Sequence, residues 1–247
     1  MNNSIKAIKP DIWRNDSRIT AGFSTKSSSD KGSTLGFSLG LLGTEDDTVI
    51  ESNRQDWLAF LGLEDQPLAL GKQVHGNEVR TVDDSTFQDN TDGLVTTQKN
   101  LALGILVADC AAVLLADREN GVIAAVHAGW RGAVQGILQN AVAKMVLSGA
   151  DVDCIEAFIS PCISLKEFEV GEEVARMFPQ EFVDYTSYTK PHIDLKNFVI
   201  YELQKAGLQE GNIENNPLCT VKEADTLHSY RRDKVQSGRM MAVISMG

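Results

Sequence analysis

Apolar residues follow two rhythms along this chain. Between 101 and 128 they run on almost without interruption, as LALGILVA (101–108), AAVLLA (111–116) and VIAAVHA (122–128), parted only by Asp109–Cys110 and the polar DRENG segment (117–121). Runs this short, bounded by turn residues, predict strands, and continuous rather than alternating apolarity predicts a sheet covered on both faces. The DRENG segment predicts the turn of a buried hairpin between the second and third runs.

From Arg131 to Leu147 the spacing lengthens. Val134, Ile137, Leu138, Ala141, Val142 and Met145 recur at intervals of three and four, the period of one helical face, with Gly149 as the stop. A strand over CIEAFIS (154–160), a short helix over GEEVARMF (171–178) and a helix over 195–207 capped by Asp194 follow, and MMAVISM (240–246) predicts a last strand. Strands and helices intermix without regular βαβ alternation, which predicts an α+β fold with mixed β-sheets. No internal repeat, proline-rich linker or long charge block divides the chain, so residues 1–247 are expected to form a single domain.

Charge narrows the partners. With 34 acidic against 23 basic residues the formal net charge is -11, which argues against a surface for nucleic acid or for an anionic membrane and leaves room for a small, locally basic pocket. The first residues, MNNSIKAIKPDIWRND, lack the apolar core of a secretion signal, and no apolar stretch approaches the ~20 residues of a membrane span. The expectation is a soluble, cytoplasmic protein; subunit association is not legible in the sequence. Four scattered cysteines (Cys110, Cys154, Cys162, Cys219) read as free thiols or metal ligands rather than a disulfide framework.

Candidate chemistry concentrates at VIAAVHAGWRGA (122–133). His127 ends an apolar strand, Gly129 and Gly132 let backbone approach a ligand closely, Arg131 adds a positive charge, and a helix begins there whose first amides favour an anion. Two further donors sit at predicted strand ends, His75 in GKQVHGNEV and Cys110 in VADCAAV. Cys110 and His127 fall on the two strands of the predicted hairpin and can meet across it. One thiolate and two imidazoles suit Zn(II), with copper a competitor. Three protein ligands leave the open position of a catalytic ion, whereas Cys162 or His228 as a fourth would close the site. Singly, each of these side chains is more often a packed or surface residue than a ligand; the signal lies in the combination.

The motifs KQVHGNEV (72–79), TDGLVT (91–96), ADCAAVLLAD (108–117), AAVHAGWRGA (124–133), SPCI (160–163), FEVGEEV (168–174), LCT (218–220) and HSYRRD (228–233), in this order, resemble those of the YfiH-like, laccase-domain family. Proteins of that family were first described as polyphenol oxidases and are now regarded as purine nucleoside phosphorylases. The resemblance implies a four-layer α/β/β/α arrangement, a Zn(II) held by His75, Cys110 and His127, and the phosphorolysis of adenosine, inosine, guanosine or methylthioadenosine to base and ribose 1-phosphate, with adenosine deamination alongside. Purine nucleosides and phosphate are the implied partners. The chain departs from the family pattern in a serine-rich first loop with Lys26, and in Ser160, Phe168 and Leu227 where glycine, tyrosine and phenylalanine are usual. The metal triad is unaffected; these changes bear on substrate preference, since the first loop is expected to help shape the mouth of the pocket.

Phosphorolysis requires an anion clamp, for which Lys72, Arg131, Arg231 and Arg232 are the candidates, since a guanidinium holds phosphate bidentately. Deamination requires an activated water, and a zinc ion lowers the pKa of one it binds toward ~7. Asp92 and Asp109 are candidates for proton transfer or for orienting a histidine, and His228 for protonating a leaving purine. Three rivals remain open: a cysteine hydrolase or deamidase with Cys110 activated by His127, since the fold resembles that of the cytotoxic necrotizing factor deamidases; a binding module in which metal only stabilises the fold; and weak phenol oxidation by Cu(II) at the same site. Only four histidines (His75, His127, His192, His228) are present, too few for the copper centres of a multicopper oxidase.

Overall fold

The predicted hairpin is the spine of the molecule. In the computed structural model, which describes residues 5–26, 35–41 and 45–247, the strands Ala111–Asp117 and Val122–Ala128 pair antiparallel, with Ala112 opposite His127 and Asp117 opposite Val122. Every residue of both strands is buried. Alternate positions explain why. Val113, Leu115, Ala124 and Val126 pack into one core, and Ala112, Leu114, Ile123 and Ala125 into another on the opposite face.

These strands are the centre of a six-stranded mixed sheet in the order Ile213–Asn215, Glu156–Ile159, Ala111–Asp117, Val122–Ala128, Gly93–Thr96, Val79–Thr81. A second sheet, Ala7–Ile8, Ile19–Ser24, Met240–Met246, Ala102–Val107 and Leu68–Ala69, supplies the other wall of the core between the sheets. Helices Ile137–Leu147 and Leu195–Lys205 cover the outer face of the first sheet, and helix Asp47–Leu61 that of the second. This is the expected four-layer α+β arrangement of mixed sheets. Its inner layers are lined by buried apolar side chains, and each buried Leu, Ile or Phe contributes about 1.5–3 kcal/mol.

Several boundaries differ from the sequence expectation. The helix expected from Arg131 to Leu147 is two helices, Trp130–Val134 and Ile137–Leu147, because Gly136 at φ 83° turns the backbone left-handed between them. The strand expected over 154–160 begins at Glu156, after a helical turn at Val152–Cys154, and the short helix over 171–178 contracts to Glu172–Ala175. Helix Asp47–Leu61 was not anticipated: its buried residues Ile50, Asn53, Trp57 and Leu61 form a stripe diluted by polar neighbours. Its ends do carry signals, an Asp46 side chain accepting from the Thr48 amide and Gly62 at φ 74°. Among the described residues no helix is long and apolar enough to cross a membrane. Residues 27–34 of the serine-rich loop lie outside the described residues.

Candidate metal centre

Three donors converge where the sheets meet at one end. One ligand atom each from His75, Cys110 and His127 lies within 4.8 Å of the others. The hairpin accounts for two of them. Ala112 stands opposite His127, so Cys110, two residues earlier and packed on the same inter-sheet core, is the diagonal neighbour of His127 on that face. Neither Cys162 nor His228 joins this group, the one such cluster among the described residues.

The third donor is placed by Asp92. Gly93 pairs with Val126, which sets Asp92 against His127 across the next pair of strands; the His127 amide donates to the Asp92 carbonyl at 2.7 Å. The buried Asp92 carboxylate accepts from Nδ1 of His127 at 2.7 Å and from the amides of Val74, His75 and Gly76 at 3.1, 2.9 and 2.8 Å. One carboxylate thus fixes the tautomer of His127, leaving Nε2 toward the site, and folds the QVHG loop around itself with His75 at φ 61°. Gln73 ties the same loop to the second sheet, donating to the Leu106 carbonyl at 2.7 Å and accepting from the Leu106 amide at 2.9 Å. Gly132 allows the first helical turn to press on this loop: a Cβ there would lie 2.5 Å from the Gly76 carbonyl oxygen.

Electrostatics suit a cation. Burial opposes ionisation of the Cys110 thiol, yet His127 and His75 beside it outweigh burial and hold the thiol below its ordinary range. Burial likewise opposes a charged His127, and Cys110 and Asp92 together raise its pKa. Burial raises Asp92, but His127 and the Gly76 and Val74 amides outweigh it, so the carboxylate stays ionised. The donor set also encloses a gap of atomic size: a Cβ on Gly129 would lie 3.0 Å from Cys110 Sγ, 3.2 Å from His75 Cδ2 and 3.6 Å from His127 Nε2. A thiolate and two imidazole nitrogens around such a gap fit a first-row divalent ion.

The centre opens on a cavity of about 680 Å³. Asp109, Trp130, Phe168, Tyr230 and Arg231 line it, together with Lys234 and Arg239, which sequence reasoning missed. Nothing in the sequence around Lys234 and Arg239 distinguishes them from surface cations; only the chain's return into the last strand brings them here. Asp109, at φ 86°, accepts from Thr220 Oγ1 and from the Arg231 amide, each at 2.6 Å. It therefore positions Arg231 rather than a ligand histidine, the role that Asp92 fills. The remaining candidates lie elsewhere. Arg131 is exposed and stacks on Trp130, 4.4 Å from the ring centroid, and Lys72 is exposed; neither lines the cavity. Arg232 is spent on the carbonyls of Thr220, Val221 and Leu227 and on Asp233. His228 is buried behind the wall, donating from Nε2 to the Phe37 carbonyl at 3.3 Å, and burial pushes its pKa down to about 4. At neutral pH the ring is uncharged, and its Nε2 proton is directed at the Phe37 carbonyl rather than into the cavity. Ser160, in place of the family's glycine, accepts from the Ala112 amide at 3.0 Å beside the hairpin.

Comparison with known proteins agrees with this architecture. The model of the family described as "Multi-copper polyphenol oxidoreductase laccase" matches residues 20–247 and so reaches into the divergent N-terminal region. A purine nucleoside phosphorylase of Mycobacterium bovis is 36% identical over 216 residues, 85% of this chain and 84% of that one. An adenosine deaminase, RL5, of an unknown prokaryotic organism is 32% identical over 196 residues, 72% of this chain and 75% of that one. The crystal structure of Bacillus licheniformis YfiH superposes with a TM-score of 0.90 at 26% identity, covering 99% of this chain and 98% of that one. With the family model spanning most of its length and relatives above 30% identity across most of it, this chain belongs to the YfiH-like, laccase-domain family.

Proposed function

We propose that this protein is a Zn(II)-dependent purine nucleoside phosphorylase that also deaminates adenosine, with His75, Cys110 and His127 as the metal ligands. One observation carries the reading: three donors, two of them positioned by a single buried carboxylate, face a cavity that also presents cations without an ion-pair partner among the described residues. The names of the relatives, purine nucleoside phosphorylase and adenosine deaminase, support the same two reactions. When bound, the ion supplies Lewis acidity at the base of the cavity.

The chain's own residues do the rest. Asp92 keeps Nδ1 of His127 protonated, so that Nε2 is the ligating atom. Trp130, Phe168 and Tyr230 offer flat apolar surfaces on which a purine can rest. Asp109 holds the amide of Arg231 and thereby the start of the segment that presents its guanidinium. In phosphorolysis a phosphate oxygen bonds to C1′ of the ribose while the C1′–N9 bond breaks, its electron pair leaving with the purine, which then takes up a proton. Deamination instead adds water at C6 and expels ammonia. The two reactions share a site and differ in their nucleophile, so their products separate them. Incubating the zinc-loaded protein with adenosine is expected to give inosine without phosphate, and adenine plus ribose 1-phosphate with it. Failure to release adenine with phosphate present would refute the phosphorylase reading.

The pairing of Cys110 with His127 favours a second reading, a cysteine hydrolase with a thiolate nucleophile. Turnover by metal-stripped protein that is abolished by iodoacetamide would establish it over the metalloenzyme.

A further inference from the structure

Arg231, Lys234 and Arg239 all line the cavity that opens on the metal centre. Neutral acceptors hold the two arginines: Arg231 donates to the Glu169 carbonyl at 2.8 Å, and Arg239 to the carbonyls of Ser237 and Gly238, both at 2.9 Å. The nearby carboxylates are committed elsewhere, Glu169 to Lys190 and Asp233 to Arg232, each at 2.7 Å. Asp109, the carboxylate lining the cavity among the described residues, accepts from Thr220 and the Arg231 amide and makes no ion pair with the three cations. A chain of net charge -11 thus keeps three cations facing one cavity with no ion-pair partner among the described residues.

Their placement is built. Asp109 accepts from the Arg231 amide in the first turn of the helix Tyr230–Asp233, and the Phe168 ring lies under the Arg231 guanidinium, 5.6 Å from the centroid. Lys234 sits at φ 53°, a left-handed turn that directs the chain back toward the last strand. Arg239 is fixed by the Ser38 hydroxyl at its amide and lies 5.7 Å from the Tyr230 ring centroid. It lines the same cavity as Cys110 and Asp109.

We propose that Arg231, Lys234 and Arg239 form a subsite for a phosphate group beside the metal centre; that this group is the free co-substrate rests on the phosphorylase reading above. Two guanidinium forks and an ammonium match the charge and the oxygen geometry of a phosphate dianion. Arg131 and Lys72, the sequence-level candidates, face solvent and take no part.

The test is calorimetric titration of inorganic phosphate into the zinc-loaded full chain and into Arg231→Gln, Lys234→Gln and Arg239→Gln, with Arg131→Gln and Lys72→Gln as controls and thermal melting to verify folding. Each of the first three is expected to weaken phosphate binding about 10-fold, and the two controls to leave it unchanged. Lys234 is exposed, so its variant keeps the test valid should an arginine variant fail to fold. Undiminished phosphate affinity in Lys234→Gln and Arg239→Gln, or no phosphate binding by the native chain, overturns the subsite. Adenosine 5′-monophosphate is the second probe: if it binds through these cations and inorganic phosphate does not, the assignment to free phosphate is overturned. Cation-dependent phosphate binding without phosphate-dependent base release upholds the subsite and sinks the phosphorylase reading. Phosphorolysis with an unchanged KM for phosphate in the variants does the reverse.

Discussion

Nδ1 of His127 donates to the Asp92 carboxylate across 2.7 Å, while the same carboxylate gathers the amides of Val74, His75 and Gly76. Two ligands from distant parts of the chain therefore depend on one acid that touches no ligand position itself. Asp92→Asn removes the charge and offers donors where acceptors are needed. Metal affinity is expected to fall roughly 10–100-fold, read by competition with a chromogenic chelator; unchanged affinity would show that the QVHG loop is held by other means.

Gly129 tests whether the gap among the three donors is the ion's position. Its backbone, φ -74° and ψ 162°, accepts any residue, so Gly129→Ala adds a methyl without backbone strain. That methyl would occupy the space 3.0 Å from Cys110 Sγ and 3.6 Å from His127 Nε2. Zinc binding should be lost while the melting temperature of the metal-free protein stays within a few degrees. Retained zinc would place the ion elsewhere.

How far the sequence led is clearest at these residues. The buried hairpin was legible because short continuous apolar runs bounded by turn residues read as strands covered on both faces; one of its strands carries His127 and the other follows directly on Cys110. His75 was legible as a histidine at a strand end. Which acid orients a histidine was not: Asp92 and Asp109 both flank motifs, and only strand register sets Asp92 opposite His127 and Asp109 against Arg231. Lys72 and Arg131 attracted attention by closeness in sequence to the ligands, yet both are exposed and neither lines the cavity. Arg239 was illegible because its place comes from pairing of residues 38–39 with the chain just before the last strand. Helix Asp47–Leu61 escaped because half of its buried stripe is spaced by charged residues.

Thiol reactivity should single out Cys110. Its neighbours favour the thiolate, whereas burial pushes the Cys162 thiol up to about 12 and also raises Cys154. Iodoacetamide on metal-free protein is expected to modify Cys110 first, as mapped by peptide mass, and zinc to protect it. Modification of Cys154 ahead of Cys110, or no protection by zinc, would argue that the thiolate is not a ligand.

His228 gives the fold a pH dependence of known sign. Burial lowers its pKa from 6.5 to about 4, so as pH falls through 6.5 the unfolded chain takes up a proton that the folded chain refuses. The stabilisation is complete above 6.5, is lost progressively down to about 4 and then levels, an effect on the order of 3 kcal/mol. Denaturant unfolding at pH 7.5 and 4.5 should show a larger loss for the native chain than for His228→Gln. Equal losses would mean that the ring reaches solvent.

The most direct measurement adds zinc in steps to chelator-stripped protein while phosphate-dependent release of hypoxanthine from inosine is followed. Release should rise in proportion to the metal and level at one ion per chain, and Cys110→Ala should stay inactive throughout. Full release by the stripped protein, or one bound zinc with no release, would contradict the account.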